Sequence, residues 1–225
     1  MEPANPINLT NSMKNKIDDD LKKVYKDILI KHLDDRPFKE EKVKGWMNNI
    51  LIESKEYFIN KYPDYDLFLL NFIYPKYIYF RSSCSSISVL DSDCPNSVDF
   101  STDNLYSVLY YFFFKHYNLE YSLDENESEI IQKGNEILKK YLDERKYDHN
   151  KVGNYNTNIN NDFNNYILGK ETKLKCFTVN EIYQNPIKGK YFFKYFCHGK
   201  NIQTKIFHNY SNEGLTCCHS IYFFK

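Results

Sequence analysis

Two segments of this chain, 109 residues apart, have nearly the same sequence. LDERKYDHNKV at residues 142–152 repeats the pattern of LDDRPFKEEKV at residues 33–43, and the alignment continues without a gap over about 45 positions. It pairs Ile28 with Ile137, Leu33 with Leu142, Arg36 with Arg145, Val43 with Val152, Trp46 with Tyr155, Asn71 with Asn180 and Tyr74 with Tyr183. The C-terminal SIYFFK also matches YYFFFK at residues 110–115 after a slip of one residue. Repetition over this length indicates a duplicated unit, so we expect two domains of one fold.

The first copy predicts two helices followed by four strands. Apolar residues recur at helical spacing over residues 17–33, and the acidic run at residues 18–20 predicts that the helix begins there with a cap. A second helix is predicted from near Lys39 until Pro63 stops it. Aromatic and β-branched runs then predict strands at residues 67–74, 77–90, 97–101 and 105–117.

The second copy predicts the same order of elements. One helix spans about residues 129–142, and the next is capped by Asp148 and closes near Gly169. Strands are predicted near residues 174–184, 189–198, 202–209 and 215–225. Seven Asn between residues 154 and 165 weaken the second helix. We expect packing to hold it through Tyr155, Ile159, Phe163, Tyr166 and Ile167.

These elements divide the chain into four segments. Residues 1–15 are expected to form a flexible tail and residues 117–127 a polar linker. The first domain then covers residues 16–116 and the second residues 128–225.

Composition and charge exclude several classes of partner. The chain holds 30 Lys plus Arg and 30 Asp plus Glu, so no net field draws it to nucleic acid or to an anionic membrane. Its longest nearly apolar run, LYSVLYYFFF, is half the roughly 20 residues that span a bilayer, and the N-terminus lacks a signal-peptide pattern. We expect a soluble cytoplasmic protein whose six Cys are reduced.

The order and spacing of these elements resemble the Tctex-type dynein light chains. Lys-Val-x-x-Trp at residues 42–46 runs into MNNIL, and the strand that ends at residues 182–184 closes with an apolar pair and Gln. RSSCSS at residues 81–86 resembles the Ser-Ser-Cys of the family's second strand, and residues 93–106 resemble its last hairpin. Typical members continue Ser-Ser-Cys with Trp-Asp, where this chain has Ile87 and Ser88. The likeness covers residues 20–115 and, more weakly, residues 128–225.

The resemblance implies an α+β fold of two tandem Tctex-type domains, each with two helices followed by a four-stranded antiparallel sheet. Family members are homodimers in which one strand crosses to the partner's sheet, so two fused copies are expected to form a monomeric, intramolecular pseudo-dimer. It also implies a non-catalytic light-chain-like subunit or adaptor of a motor complex. Such a protein binds an extended segment of a dynein intermediate chain or of a cargo by β-strand addition. A dynein-independent structural or cargo scaffold on axonemal or other microtubules is the alternative.

The family's peptide groove is lined by its exchanged strand, and this places the candidate partner-binding residues on two segments of the present chain. They are Arg81, Ser82, Ser83, Cys84 and Ser85 in the first copy, and Lys194, Tyr195, Phe196 and Cys197 in the second. The alternative is that these residues are only interface or core positions of a strand.

The sequence contains only weak signals of catalytic, metal-binding or nucleotide-binding sites. CHG at residues 197–199 and CCH at residues 217–219 supply Cys and His for zinc, but adjacent strand residues point to opposite faces. A Cys-based nucleophile would pair Cys197 or Cys217 with His149, His208 or His219, although nothing marks an oxyanion hole. Aromatic runs such as KYFFKYF fit a buried sheet better than a base-stacking surface in a chain of balanced charge. We therefore expect no enzymatic activity, metal or cofactor.

Overall fold

The computed structural model is α+β, with helices and two antiparallel sheets, as the sequence predicts. It describes residues 11–76, 80–88, 96–115, 127–170, 175–184, 192–198 and 202–224. The N-terminal residues 1–10 and the predicted linker, apart from Glu127, lie outside the described residues.

The helices of the described chain come in two pairs. They are α1 (Asn11–Leu33), α2 (Glu40–Lys61), α3 (Glu127–Leu142) and α4 (His149–Lys170). The predicted Asp148 cap of α4 is confirmed, since the main-chain N–H of Asn150 donates to its Oδ1 at 2.9 Å. No helix within the described residues is both long and apolar enough to cross a membrane.

The acidic run at residues 18–20 does not cap α1, so that prediction is wrong. The helix begins at Asn11, within the segment assigned to the tail, and its first turn holds no acidic residue. The carboxylates instead tie α1 to its neighbours. Asp20 accepts hydrogen bonds from the hydroxyls of Tyr57 and Tyr62 at 2.7 Å each, and Asp18 accepts one from Tyr111. An acidic cluster inside a helix here serves tertiary packing.

Eight strands follow the predicted order in the described residues. The first half holds β1 (Tyr65–Pro75), β2 (Phe80–Ser88), β3 (Asn96–Ser101) and β4 (Leu105–Lys115). The second half holds β5 (Lys175–Gln184), β6 (Phe192–His198), β7 (Ile202–Ser211) and β8 (Leu215–Phe224).

The two halves exchange one strand each. The first sheet has the order β3-β4-β1-β6 and the second the order β2-β5-β8-β7, so each sheet takes three strands from its own half and one from the other. β6 runs antiparallel to β1, with Leu67 opposite His198 and Ile73 opposite Phe192. β2 runs antiparallel to β5, with Phe80 opposite Tyr183 and Ser88 opposite Lys175. The halves are therefore joined by main-chain ladders in both directions.

Helices cover the outer face of each sheet, and the inner faces meet. In the first sheet α2 contacts both β1 and the exchanged β6, while in the second α4 contacts β5 and the exchanged β2. Between the sheets lies an aromatic core, in which the rings of Phe68 and Tyr222 are 5.0 Å apart. Its other members are Leu70, Phe72, Tyr74, Val108, Tyr110, Phe112, Phe114, Val179 and Tyr183. β1 is buried along its whole length because both of its faces are covered.

Equivalent contacts join the helices of each half. Glu53 of α2 binds Lys31 at 2.7 Å and His32 at 2.8 Å, both on α1. Asp162 of α4 binds Lys140 at 2.7 Å and Tyr141 at 2.8 Å, both on α3. The three residues of the first half correspond to the three of the second half at an offset of 109 residues. The sequence repeat is therefore also a repeat of contacts.

The packing expected for α4 is confirmed. Ile159, Phe163 and Ile167 are buried, and Tyr155 and Tyr166 pack against the same core. Two of the Asn residues of α4 are buried as well. One of them, Asn160, accepts a hydrogen bond from the side chain of Asn180 on β5.

The repeated motif, LDDR at residues 33–36 and LDER at residues 142–145, forms the turn between the helices of each half. Asp35 and Glu144 occupy the same position of that turn, with φ of 54° and 57°. In both turns the next Arg donates its N–H to the carbonyl three residues back, at 3.3 Å for Arg36 and 3.1 Å for Arg145. A side chain at positive φ carries a steric cost that glycine does not.

Replacing Glu144 with Gly should therefore stabilise the protein by about 0.5–1 kcal/mol in chemical denaturation. The matched control is Glu136→Gly, an exposed position inside α3 where glycine should cost about 1 kcal/mol. A Glu144→Gly variant no more stable than the parent would show that the turn is not strained.

Candidate functional site

The exchanged strands β2 and β6 carry all the residues that the sequence analysis assigned to partner binding. In β2 the segment from Arg81 to Ser85 lies opposite Ile182 to Thr178 of β5. In β6 the segment from Lys194 to Cys197 lies opposite Asn71 to Phe68 of β1. The structure therefore places the two sets in different sheets, as two separate segments rather than one site.

The register shows which positions of the two segments are equivalent. Ser83 lies opposite Asn180 and Lys194 lies opposite Asn71, and these two Asn residues are repeat partners. With Ser83 equivalent to Lys194, residues 81–85 of β2 correspond to residues 192–196 of β6. Phe192 and Phe193 lie outside the candidate segment Lys194 to Cys197 that the resemblance implies, although they are equivalent to Arg81 and Ser82. The two Asn are buried at the centre of their sheets, and only the residues opposite them in the structure give this register, because the 109-residue offset of the sequence repeat would align 81–85 with 190–194.

Both exchanged strands are sheet edges. β6 is last in the first sheet and β2 is last in the second, with no further strand beside either in the described part of the chain. An edge strand presents a row of main-chain N–H and C=O groups that a further strand can pair with. Since β1 or β5 already occupies one side of each exchanged strand, a further strand could add only on the outer side of β2 and β6, where the described residues place no strand.

The central strands position these edges. β1 and β5 are buried between a helix layer and the opposite sheet, so a strand paired to them is held in register by a rigid template. Asn71 donates its side-chain N–H to Ser107 Oγ at 3.1 Å and to the Val108 carbonyl at 3.2 Å, which fixes β1 to β4. A partner that adds to β6 would thus extend a sheet whose far side is fixed.

The Cys and His residues considered for zinc or nucleophilic chemistry form no cluster of metal ligands within the described residues. The side chains of residues 197–199 lie outside that part of the chain. Cys217 is buried, and burial raises the pKa of its thiol well above the ordinary value, so it stays protonated. Cys218 contacts the Tyr183 hydroxyl at 3.2 Å.

Two of the His residues instead form a buried structural pair. His208 and His219 approach at 3.2 Å through their Nδ1 atoms, and the His219 ring stacks on Phe163 at 3.9 Å. His208 Nε2 lies 3.3 Å from the carbonyl of Ile130, which makes Nε2 the donor and leaves Nδ1 to accept from His219. Burial lowers the pKa of both rings, so both are neutral at pH 7. His208 thereby joins α3 to the second sheet, while His219 packs against Phe163 of α4.

No protein-family model matches this chain, and no curated protein matches it.

The His pair predicts a large effect at Gly134 of α3. A Cβ added at Gly134 would lie 2.5 Å from Cδ2 of His208, so Gly134→Ala must displace the imidazole and break its contacts. We expect a loss of about 1–3 kcal/mol in the free energy of unfolding, measured by denaturant titration.

Gly153→Ala on α4 is the matched control, because nothing lies within 4 Å of the Cβ it would add. It should gain up to about 1 kcal/mol from helix propensity. Equal stabilities of the two variants would contradict the packing described for His208.

Proposed function

We propose that this chain is a non-catalytic, Tctex-type dynein light-chain-like subunit or adaptor, made of two such domains in tandem. It binds an extended segment of a dynein intermediate chain or of a cargo by strand addition at β2 or β6. The observation that carries the proposal is the reciprocal exchange of β2 and β6, which leaves each exchanged strand at a sheet edge.

The exchange supports the resemblance because the family achieves it between two chains. Here the resemblance rests on Lys42, Val43 and Trp46 and on RSSCSS at residues 81–86, and the latter segment forms the strand that crosses. A covalent link between the copies gives an effective concentration in the millimolar range for a short linker. The proposal therefore includes a monomeric pseudo-dimer in the cytoplasm, associated with the cytoskeleton through its motor partner.

The two edges are proposed to differ in partner. The β2 segment, RSSCS, is polar, whereas the β6 segment, FFKYF, is aromatic. In strand addition the main chain supplies affinity and alternate side chains supply selectivity. Two different edges in one chain therefore suit two different extended segments, where a homodimer offers two identical edges.

The rival proposal is a dynein-independent scaffold on axonemal or other microtubules. It is favoured by Ile87 and Ser88, which stand on the exchanged strand where typical members have Trp-Asp. Both proposals use the same edges and differ only in the partner.

The experiment measures fluorescence anisotropy of tiled synthetic peptides that cover a dynein intermediate chain, each with a scrambled counterpart. Ser82→Pro and Ser83→Pro are compared, because the N–H groups of adjacent strand residues point to opposite sides. One of the two prolines removes an N–H that bonds to β5, so this variant should have a lower melting temperature. The other faces the open edge, leaves the fold intact and should weaken the bound peptide at least about tenfold, or 1.4 kcal/mol.

A folded proline variant that binds its peptide as tightly as the parent would overturn strand addition at β2. The same pair at Tyr195 and Phe196 tests β6. If no intermediate-chain peptide binds and tubulin or cargo peptides do, with the same sensitivity to proline, the scaffold proposal replaces the dynein proposal.

A further inference from the structure

A cavity of about 230 Å³ lies between the two sheets, on the side of the second half. Leu70 and Phe72 of β1 line it from one sheet. Val179 and Glu181 of β5, with Cys218 and Ser220 of β8, line it from the other. Leu70 and Phe72 are the repeat partners of Val179 and Glu181, so the cavity lies where the equivalent central strands face each other.

The cavity exists because the two halves have diverged in side-chain size. In the first sheet Leu70 pairs with Tyr110 and Phe72 with Val108. In the second sheet the equivalent pairs are Val179 with Ser220 and Glu181 with Cys218. Ser220 thus stands where the first half has Tyr110, a large ring of the aromatic core. The space that this ring would fill is left open.

Glu181 is a buried carboxyl group in this cavity without a complete set of partners. The residue is 5% exposed, and its Oε1 has no hydrogen-bond partner among the residues that the structure describes. Burial raises the pKa of this carboxyl to about 8. An acidic group in such surroundings costs stability unless something binds it, whereas the first half has the apolar Phe72 at the same position.

Three aromatic rings line the cavity, and His208, Asn209 and His219 complete its wall. Phe72, Phe207 and Tyr222 line the cavity, and the rings of Phe207 and Tyr222 meet edge to face at 6.3 Å. Phe207 is 51% exposed and Asn209 is exposed, so the cavity opens to solvent along β7. A small ligand can therefore reach the cavity from solvent through this opening.

We propose that this cavity binds a small organic amine, with its ammonium group at the Glu181 carboxylate and its apolar body against Phe72 and Tyr222. A carboxylate supplies the counter-charge, and aromatic faces attract a cation through the ring quadrupole. The volume is below the roughly 300–1,000 Å³ of sites for drug-sized ligands, so the ligand is compact. This site is separate from the edge strands and does not depend on the proposed function.

The test is calorimetric titration of the full chain with 2-phenylethylamine, and with 2-phenylethanol as its neutral analogue, in buffer above the Glu181 pKa. The amine should bind with one site per chain and the alcohol at least tenfold more weakly. Glu181→Gln should weaken the amine at least tenfold. Ser220→Tyr, which restores the ring found in the first half, should abolish binding by filling the space.

The matched control is Glu136→Gln, the same substitution at an exposed position of α3. This variant should bind the amine as the parent does. Melting curves establish that each variant is folded, and Glu181→Gln alone decides the matter if Ser220→Tyr does not fold. The proposal is overturned if the parent does not bind the amine, if the alcohol binds as tightly, or if Glu181→Gln binds as the parent does.

Discussion

The main-chain ladders between β1 and β6 and between β5 and β2 are the interactions on which the rest of the structure depends. β1 and β5 are central strands, and their inner-sheet side chains are buried in the aromatic core. Removing either exchanged strand would leave a row of main-chain groups at the edge of a buried strand without partners, at a substantial cost per group. Each half is therefore completed by the other. The two copies are therefore not two independent domains, because each sheet contains a strand of the other half.

The two halves share their helix turns and the contacts between their helices, but they differ in the side chains between the sheets. The turns at Asp35 and Glu144 are the same, and so are the contacts of Glu53 and Asp162 with the preceding helix. These features join the two helices of each half in the same way. The inter-sheet face has diverged, since Tyr110 of the first half corresponds to Ser220 of the second. A scaffold with two equivalent halves can thus have two sheet edges of different sequence and the cavity beside Glu181.

The order of the elements could be predicted from the sequence because repetition gave two independent readings of each one. Strand ends fall within a few residues of their predicted places, as at Leu105 and Leu215. The start of α1 could not be predicted, because the acidic run at residues 18–20 has the composition of a cap while its carboxylates bind Tyr and Lys of other elements. The cavity could not be predicted either. Alternation places Glu181 on one face of β5, but only the packing of the first sheet against the second shows that this face is buried.

The most direct test of the strand exchange is an isotope-filtered nuclear Overhauser experiment on an equal mixture of labelled and unlabelled chain. The structure predicts cross-strand contacts within one labelled chain between Asn71 and Lys194 and between Asn180 and Ser83, and none between labelled and unlabelled molecules. Contacts between different molecules at these pairs would mean that the strands are exchanged between chains. Pairing of β1 with β2 in place of β6 would mean that each half keeps its own strand, and would contradict the account.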